Sequence, residues 1–385
     1  MRARAKLAIV SALALTTVAV GFPLYFLSAE DQVLTALRKS VQEYGMTFTH
    51  AAPQRGLFSA SVRLSNVVLS RASDGRVHRI TDLYIPLLPY VSFVADGVTF
   101  GGPGGVEEAR VTSARGYTSD WTEWNSVSLY GLTTGDGPTN MAADLIRAAG
   151  YNLRTQLVTG LRMENVRARA PDNMSATAVV VEIDALGGPN SFDPMRSAKI
   201  TDLSFTLPEM LRQVPGTNVS RDVRVASTEF RTMGPREIPT SAEVTMTGIR
   251  AGGASELTLR AQARRDVGDG KATLRIAGEA IPTANLEVTF PGMTDWRRIT
   301  AGGPLPAYRA RAEVTDTSGS VRNVVQALGD RGDLIVTTTL MGQAGMSRAA
   351  ATAVSNWLRD PSRPLVLTLA GQGRTIPTIG ATVNR

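Results

Sequence analysis

The chain has 385 residues, 43% of them hydrophobic and 19% charged, with a net charge of +7 and no cysteine. That composition belongs to a folded globular protein rather than a disordered one. The missing cysteines exclude disulfides, thiolate zinc sites and cysteine nucleophiles. The basic residues are nearly all Arg, with Lys only at 6, 39, 199 and 271, and no basic run interleaved with aromatics supports nucleic-acid binding.

Arg2, Arg4 and Lys6 precede a charge-free run from Leu7 to Leu27, closed by Glu30 and Asp31. A helix of that length rises about 31 Å, enough for a hydrocarbon core. The basic residues predict the N-terminus in the cytoplasm and the chain from residue 30 on the other side. A cleaved secretory signal is the alternative, with Leu27-Ser28-Ala29 as its site. The run exceeds a signal's apolar stretch and Leu suits that site poorly, so an uncleaved anchor over residues 1–29 is expected.

Over 30–45, Val33, Leu34, Leu37, Val41 and Tyr44 fall on one helical stripe, with acids at the start and Gly45 at the end. A juxtamembrane amphipathic helix is expected. From about Gly56 the period becomes two. Leu257, Leu259 and Ala261 alternate with polar neighbours, as do Leu286, Val288 and Phe290, and Ala310, Ala312 and Val314. Such alternation predicts strands with one apolar and one polar face. Turn signals separate them, among them Asp74-Gly75, Gly187-Gly188-Pro189, Gly252-Gly253, Gly268-Asp269-Gly270 and Gly302-Gly303-Pro304. Residues 255–278 read as a hairpin across Gly-Asp-Gly. Four stretches read as helical: 139–149, 208–214, Ser320–Leu328 and Ser347–Arg359. The expected fold is mainly β, a long, curved, mostly antiparallel sheet with a few short covering helices. Its first half spans 46–190 and its second 191–385.

RITDLYIPL from Arg79 matches KITDLSFTL from Lys199, and VRLSNV from Val62 matches LRMENV from Leu161. The repeat suggests one strand–turn–strand unit used twice. Asp82 and Asp202 are then expected to fix a turn or a bulge; a catalytic carboxylate pair is the alternative.

No catalytic constellation emerges. His50 and His78 are the only histidines, and no HExxH, GxSxG, Walker or SxxK pattern occurs. His78 reads as a polar-face strand residue and His50 as part of a loop entry. Gly101–Gly105 reads as a turn, as does Asp266–Gly270. Trp121 and Trp124, beside Asp120 and Glu123, form a candidate surface aromatic site for a sugar, or an interfacial anchor. Trp296 and Trp357 read as core. No metal or cofactor is called for.

The apolar run Leu7–Leu27, the VRLSNVVL stretch from Val62, the RITDL and KITDL units and the closing RDPSRPLVLTL from Arg359 together resemble the AsmA-type envelope proteins of Gram-negative bacteria. They equally resemble smaller membrane-anchored families of unknown function with the same layout. The resemblance implies a single-pass inner-membrane protein with its bulk in the periplasm, a non-enzyme with a role in envelope maintenance. It further implies a grooved β-sheet that handles phospholipid. Leu257, Leu259, Leu286, Val288 and Phe290 are the candidate lipid-facing residues, because each set alternates with polar neighbours. An adaptor that binds another envelope protein through a sheet edge is the second reading. A polysaccharide-active enzyme is the third.

Overall fold

The computed structural model describes residues 34–35, 38, 41–42, 45–54, 61–86, 91–120, 123–135, 139–152, 157–171, 174–187, 196–206, 222–234, 240–251, 255–265, 268–293, 306–316, 318–321, 341, 346–371 and 378–383. The anchor run Leu7–Leu27, the 208–214 stretch, Trp296 and the glycine pairs 252–253 and 302–303 lie outside them. No helix among the described residues is long and apolar enough to cross a membrane. The chain divides into two compact units, Met1–Gln213 and Val214–Arg385.

The described residues of the first unit form ten strands: β1 (Thr47–Thr49), β2 (Ser61–Arg71), β3 (Arg76–Pro86), β4 (Val91–Gly101), β5 (Glu107–Asp120), β6 (Glu123–Thr134), β7 (Asn140–Asn152), β8 (Leu157–Ala170), β9 (Met174–Gly187) and β10 (Ser197–Thr206). Each pairs antiparallel with the next in sequence, so the unit is a meander. Short loops join antiparallel neighbours, which is why the turn signals were legible. Gly75, at φ 69°, turns β2 into β3. A single 3-10 turn, Pro103–Gly105, joins β4 to β5.

One apolar core runs through β2 to β8 of this unit. Val62, Leu64 and Val111 are fully buried, and the cluster runs continuously from β2 to β8. Residues 34, 35, 38, 41 and 42 are helical, with Leu34 and Val41 in the core and Thr35, Arg38 and Gln42 exposed. The predicted amphipathic stripe therefore packs its apolar side onto the sheet, where burying each aliphatic side chain contributes roughly 1.5–3 kcal/mol.

A row of left-handed residues crosses the meander. Asn66 (φ 54°) on β2, Gly97 (φ 61°) on β4, Gly131 (φ 63°) on β6, Asn165 (φ 50°) on β8 and Asp202 (φ 51°) on β10 all interrupt extended strands. L side chains avoid this region, and Gly, Asn and Asp are the residues that enter it. Each sits between a polar residue and an aliphatic one: Ser-Asn-Val, Asp-Gly-Val, Tyr-Gly-Leu, Glu-Asn-Val and Thr-Asp-Leu. The pairing register is kept through the kink; for example, Ser65↔Asp82 and Val67↔Ile80 flank Asn66. What changes is side-chain parity. Buried positions step by three instead of two: Leu64 to Val67, Ile80 to Leu83, Ala95 to Val98, Val111 to Ala114, Leu129 to Leu132, Ala143 to Ile146.

That step explains a misreading. The 139–149 stretch is strand β7, not a helix. Ala143 and Ile146 are three apart where β7 passes between Gly131 and Asn165, the left-handed residues of the strands on either side, and an i, i+3 apolar pair mimics a helical face. Gly97 is a position in the row that only glycine fits. A Cβ there would lie 2.3 Å from Thr81 Oγ1, and the Thr81 hydroxyl donates to the Gly97 carbonyl at 3.3 Å.

The second unit is another antiparallel meander: β11 (Asp222–Met233), β12 (Ser241–Ala251), β13 (Leu257–Arg265), β14 (Asp269–Gly278), β15 (Ile281–Pro291), β16 (Tyr308–Thr315), β17 (Leu365–Gly371) and β18 (Thr378–Val383). The Gly268-Asp269-Gly270 hairpin forms as read, with Arg265 opposite Gly270. Asp269 Oδ1 accepts from the Gly292 amide at 3.1 Å, which ties this turn to the end of β15. One helix, α1 (Arg348–Arg359), opens on Ser347, whose hydroxyl accepts from the Ala350 amide at 3.2 Å. This is an N-cap of the ordinary kind. Of Ser320–Leu328 the described residues Ser320 and Val321 are helical. The strand after the Asp360-Pro361 turn is β17.

Candidate functional site

Register places the five candidate lipid-facing residues on one face of the second unit. Leu259 stands opposite Ile276, which stands opposite Ala284, two residues before Leu286 on the same strand. Leu257, Val288 and Phe290 share that parity. The row through Leu286 is apolar across all eight strands: Phe230, Val244, Ala261, Leu274, Leu286, Ala312, Leu367 and Ala381. The row on one side runs from Met246 through Leu259, Ile276, Ala284, Val314 and Leu365 to Val383, and the row on the other from Ala242 to Ile379. Only the β11 ends of these two, Thr228 and Thr232, carry hydroxyls.

The two ends of this face differ in cover. At β16–β18 the helix α1 lies on it: Trp357 and Leu365 are buried there together with Val321, packed by Val314, Leu367, Ala381 and Val383. Trp357 is core, as expected, and its indole donates to the Arg363 carbonyl at 2.7 Å. On β12–β15 the picture changes. Leu257, Leu259, Leu274, Ile276, Leu286 and Val288 are all half-buried, and of these strands' large apolar side chains only Phe290 is buried, beside Tyr308. The first unit's core residues, by contrast, are sealed. Seven strand spacings of about 4.8 Å make the face roughly 34 Å across, and its three rows make it roughly 14 Å deep.

The other sequence candidates do not assemble into a site. Trp121 lies outside the described residues, and of Trp124 the structure gives the backbone, on β6 opposite Tyr151. Asp82 and Asp202 are on β3 and β10, with six strands between them in the pairing order. Asp82 is bound by Arg63 in a bidentate pair at 2.9 Å and by the Ser65 hydroxyl at 2.7 Å. Those bonds hold its carboxyl below the usual carboxylate range, the Arg63 bond being the largest cause. Asp202 is one of the left-handed kink residues. Asp82 ties β3 to β2 and Asp202 kinks β10, so the matched aspartates do different work and form no carboxylate pair.

His78 is not on the polar face. It is 3% exposed, on the parity of Ile80, with its ring edge toward Phe100 at 6.0 Å. Burial pushes its pKa down to about 4, reinforced by Arg76 and Arg71 and opposed by Asp74. A neutral ring is the form this place accepts, and its Nδ1 has no hydrogen-bond partner. His50 is half-buried, 3.5 Å from an Arg38 nitrogen, with its Nδ1 donating to the Ala51 carbonyl at 2.6 Å. Among the described residues no group of three or more His, Asp or Glu could hold a metal ion.

The polar face of β13–β16, which the sequence reading did not single out, carries a cavity of about 360 Å³. Its residues are far apart in sequence and meet only through register, so no local motif marks them. Compared with known protein families and curated proteins, the chain matches none.

Proposed function

We propose that this is a single-pass bacterial inner-membrane protein whose second periplasmic unit binds phospholipid acyl chains on the apolar face of β12–β15. It acts in envelope maintenance rather than in catalysis. One observation carries the reading: leucines and isoleucines that align in continuous rows across the sheet are only half-buried, while in the core of the first unit Leu64, Ile80, Leu83, Leu132 and Ile146 are fully buried. Exposed contiguous apolar area of this extent marks a binding surface. Acyl chains suit it because the rows are uniformly aliphatic, with no polar group to select a particular ligand. The apolar run Leu7–Leu27, long enough to span a bilayer, supports a membrane source for that ligand, as does the resemblance to AsmA-type proteins.

The test is lipid recovery. The full chain is purified from membranes in mild detergent and its phospholipid is extracted and quantified. Wild type is expected to carry stoichiometric phospholipid, and Leu259→Asp with Leu286→Asp to lose it at an unchanged fold. Equal lipid in both proteins would refute the assignment. The same preparation tests the anchor: mass spectrometry should find the N-terminal peptide, and a mature chain beginning at Glu30 would contradict it.

A further inference from the structure

The face opposite the apolar rows carries its own site, and it stands independently of the lipid reading. The 360 Å³ cavity on β13–β16 is lined by three arginines, Arg260, Arg275 and Arg311, and two glutamates, Glu287 and Glu313, around Asn285. Register orders these charges. Arg260 and Arg275 stand directly opposite each other on β13 and β14. Asn285 follows on β15 and Glu313 on β16, while Glu287 faces Arg311 in the adjacent row. The β13–β14 end of the cavity is thus cationic, and the β15–β16 end carries both acids together with Arg311.

Like charges directly opposite on neighbouring strands are unfavourable. Here the repulsion is relieved on one side only. Arg260 is drawn toward β12, where Glu243 accepts from its Nε at 2.6 Å. At the other end Arg311 pairs with Glu313 at 3.5 Å. Among the described residues Arg275 and Glu287 make no ion pair, although both line the cavity. An unpaired cation and an unpaired anion on adjacent strands, roughly 5–8 Å apart at their Cβ atoms, are complementary to a ligand with the reverse polarity.

We propose that this cavity binds a zwitterion of the phosphoethanolamine class, its phosphate on Arg275 and Arg260 and its ammonium on Glu287. Guanidinium forks match phosphate oxygens in geometry and charge. Glu287 turns a general anion site into one that prefers an amine at the far end. Asn285, between the two, supplies an amide that can donate to the phosphate ester. The group could come from a lipid headgroup or from a water-soluble phosphoethanolamine ester, since the recognised chemistry is the same.

The test is phosphorus NMR titration of the full detergent-solubilised chain with O-phosphoethanolamine, and with glycerol 3-phosphate as the anion lacking the amine. Wild type should saturate with O-phosphoethanolamine and bind glycerol 3-phosphate at least about tenfold more weakly. Arg275→Ala should weaken both by at least about tenfold, with partial rescue in Arg275→Lys. Glu287→Gln should abolish the preference between the two ligands, a result that mere loss of structure would not give. Thermal melts of each variant confirm folding. Flotation with phosphatidylethanolamine against phosphatidylglycerol vesicles then separates the sources: preferential flotation assigns the headgroup, and binding of the soluble ester alone assigns the free compound. Failure of wild type to saturate, or a saturation that Arg275→Ala leaves unchanged, overturns the proposal. The apolar-face reading survives either result: Leu259, whose aspartate variant tests it, does not line this cavity, and its readout is extracted phospholipid.

Discussion

Placing one aspartate in each unit should have opposite consequences. Leu64 is 0% exposed in the core of the first unit. Leu64→Asp removes a full leucine's burial, roughly 2–5 kcal/mol by the large-to-small precedent, and leaves a carboxylate with no partner in a sealed interior. That second term costs several kcal/mol more. Against a total stability of about 5–15 kcal/mol, the first unit should unfold. Leu286 is half-buried between Leu274 and Ala312. Its leucine contributes about half of a fully buried one, near 1 kcal/mol, and the carboxylate of Leu286→Asp keeps contact with water. For a unit of this size that is about 2–4 °C in Tm. Calorimetry, with amide exchange to say which unit opens, measures both. If Leu286→Asp melts the second unit as completely as Leu64→Asp melts the first, the face is a closed core and the distinction between the units fails.

The kink row makes a second prediction: Gly97→Ala combines a left-handed φ with a Cβ 2.3 Å from Thr81 Oγ1 and should cost more than about 2 kcal/mol, whereas Asn66→Gly should stay within about 1 kcal/mol, both read by denaturant melts. His78 supplies a pH dependence. Its folded pKa, about 4, lies below the unfolded value of about 6.5, so the unfolded chain binds the extra proton between those limits. Stability is full above pH 6.5 and falls on acidification to pH 4, by about 3 kcal/mol from this group, and His78→Phe should flatten that window. Ser347→Ala removes the N-cap bond to Ala350 and should lower the stability of the second unit by about 1 kcal/mol, visible as a modest Tm shift.

The parts of the fold that could be read from sequence are those where strand parity runs unbroken. The central stretches of β13 to β16 alternate apolar and polar residues, so Leu257, Leu259, Leu286, Val288 and Phe290 could be assigned to one face before any register was known. Helix α1 was legible from a different signal, a serine cap at Ser347 followed by apolar residues at helical spacing. Where the kink row crosses, parity breaks on the kinked strands and on the strands between them, and the reading fails. Ala143 and Ile146 looked helical on β7, and His78 was assigned to the wrong face although it shares parity with Ile80. The matching Ser-Asn-Val and Glu-Asn-Val segments were visible as a repeat, but Asp-Gly-Val and Tyr-Gly-Leu were not. Residue identity is not what recurs; a positive φ is, and Gly, Asn and Asp satisfy it interchangeably. The polar-face cavity was illegible for a different reason. Arg260, Arg275, Glu287 and Arg311 belong to four strands, and only pairing brings them together.

The most direct test of lipid binding is photocrosslinking from the sheet itself in intact cells. A photoreactive amino acid replaces Leu286 on the half-buried apolar face, Thr289 on the polar face of the same strand, or Leu64 in the sealed core. Cells are labelled with radioactive phosphate before irradiation. Labelled phospholipid is expected on the protein from position 286 and not from 289 or 64. Absence of label at 286, or crosslinks there to protein alone, would contradict the assignment of this face to acyl chains.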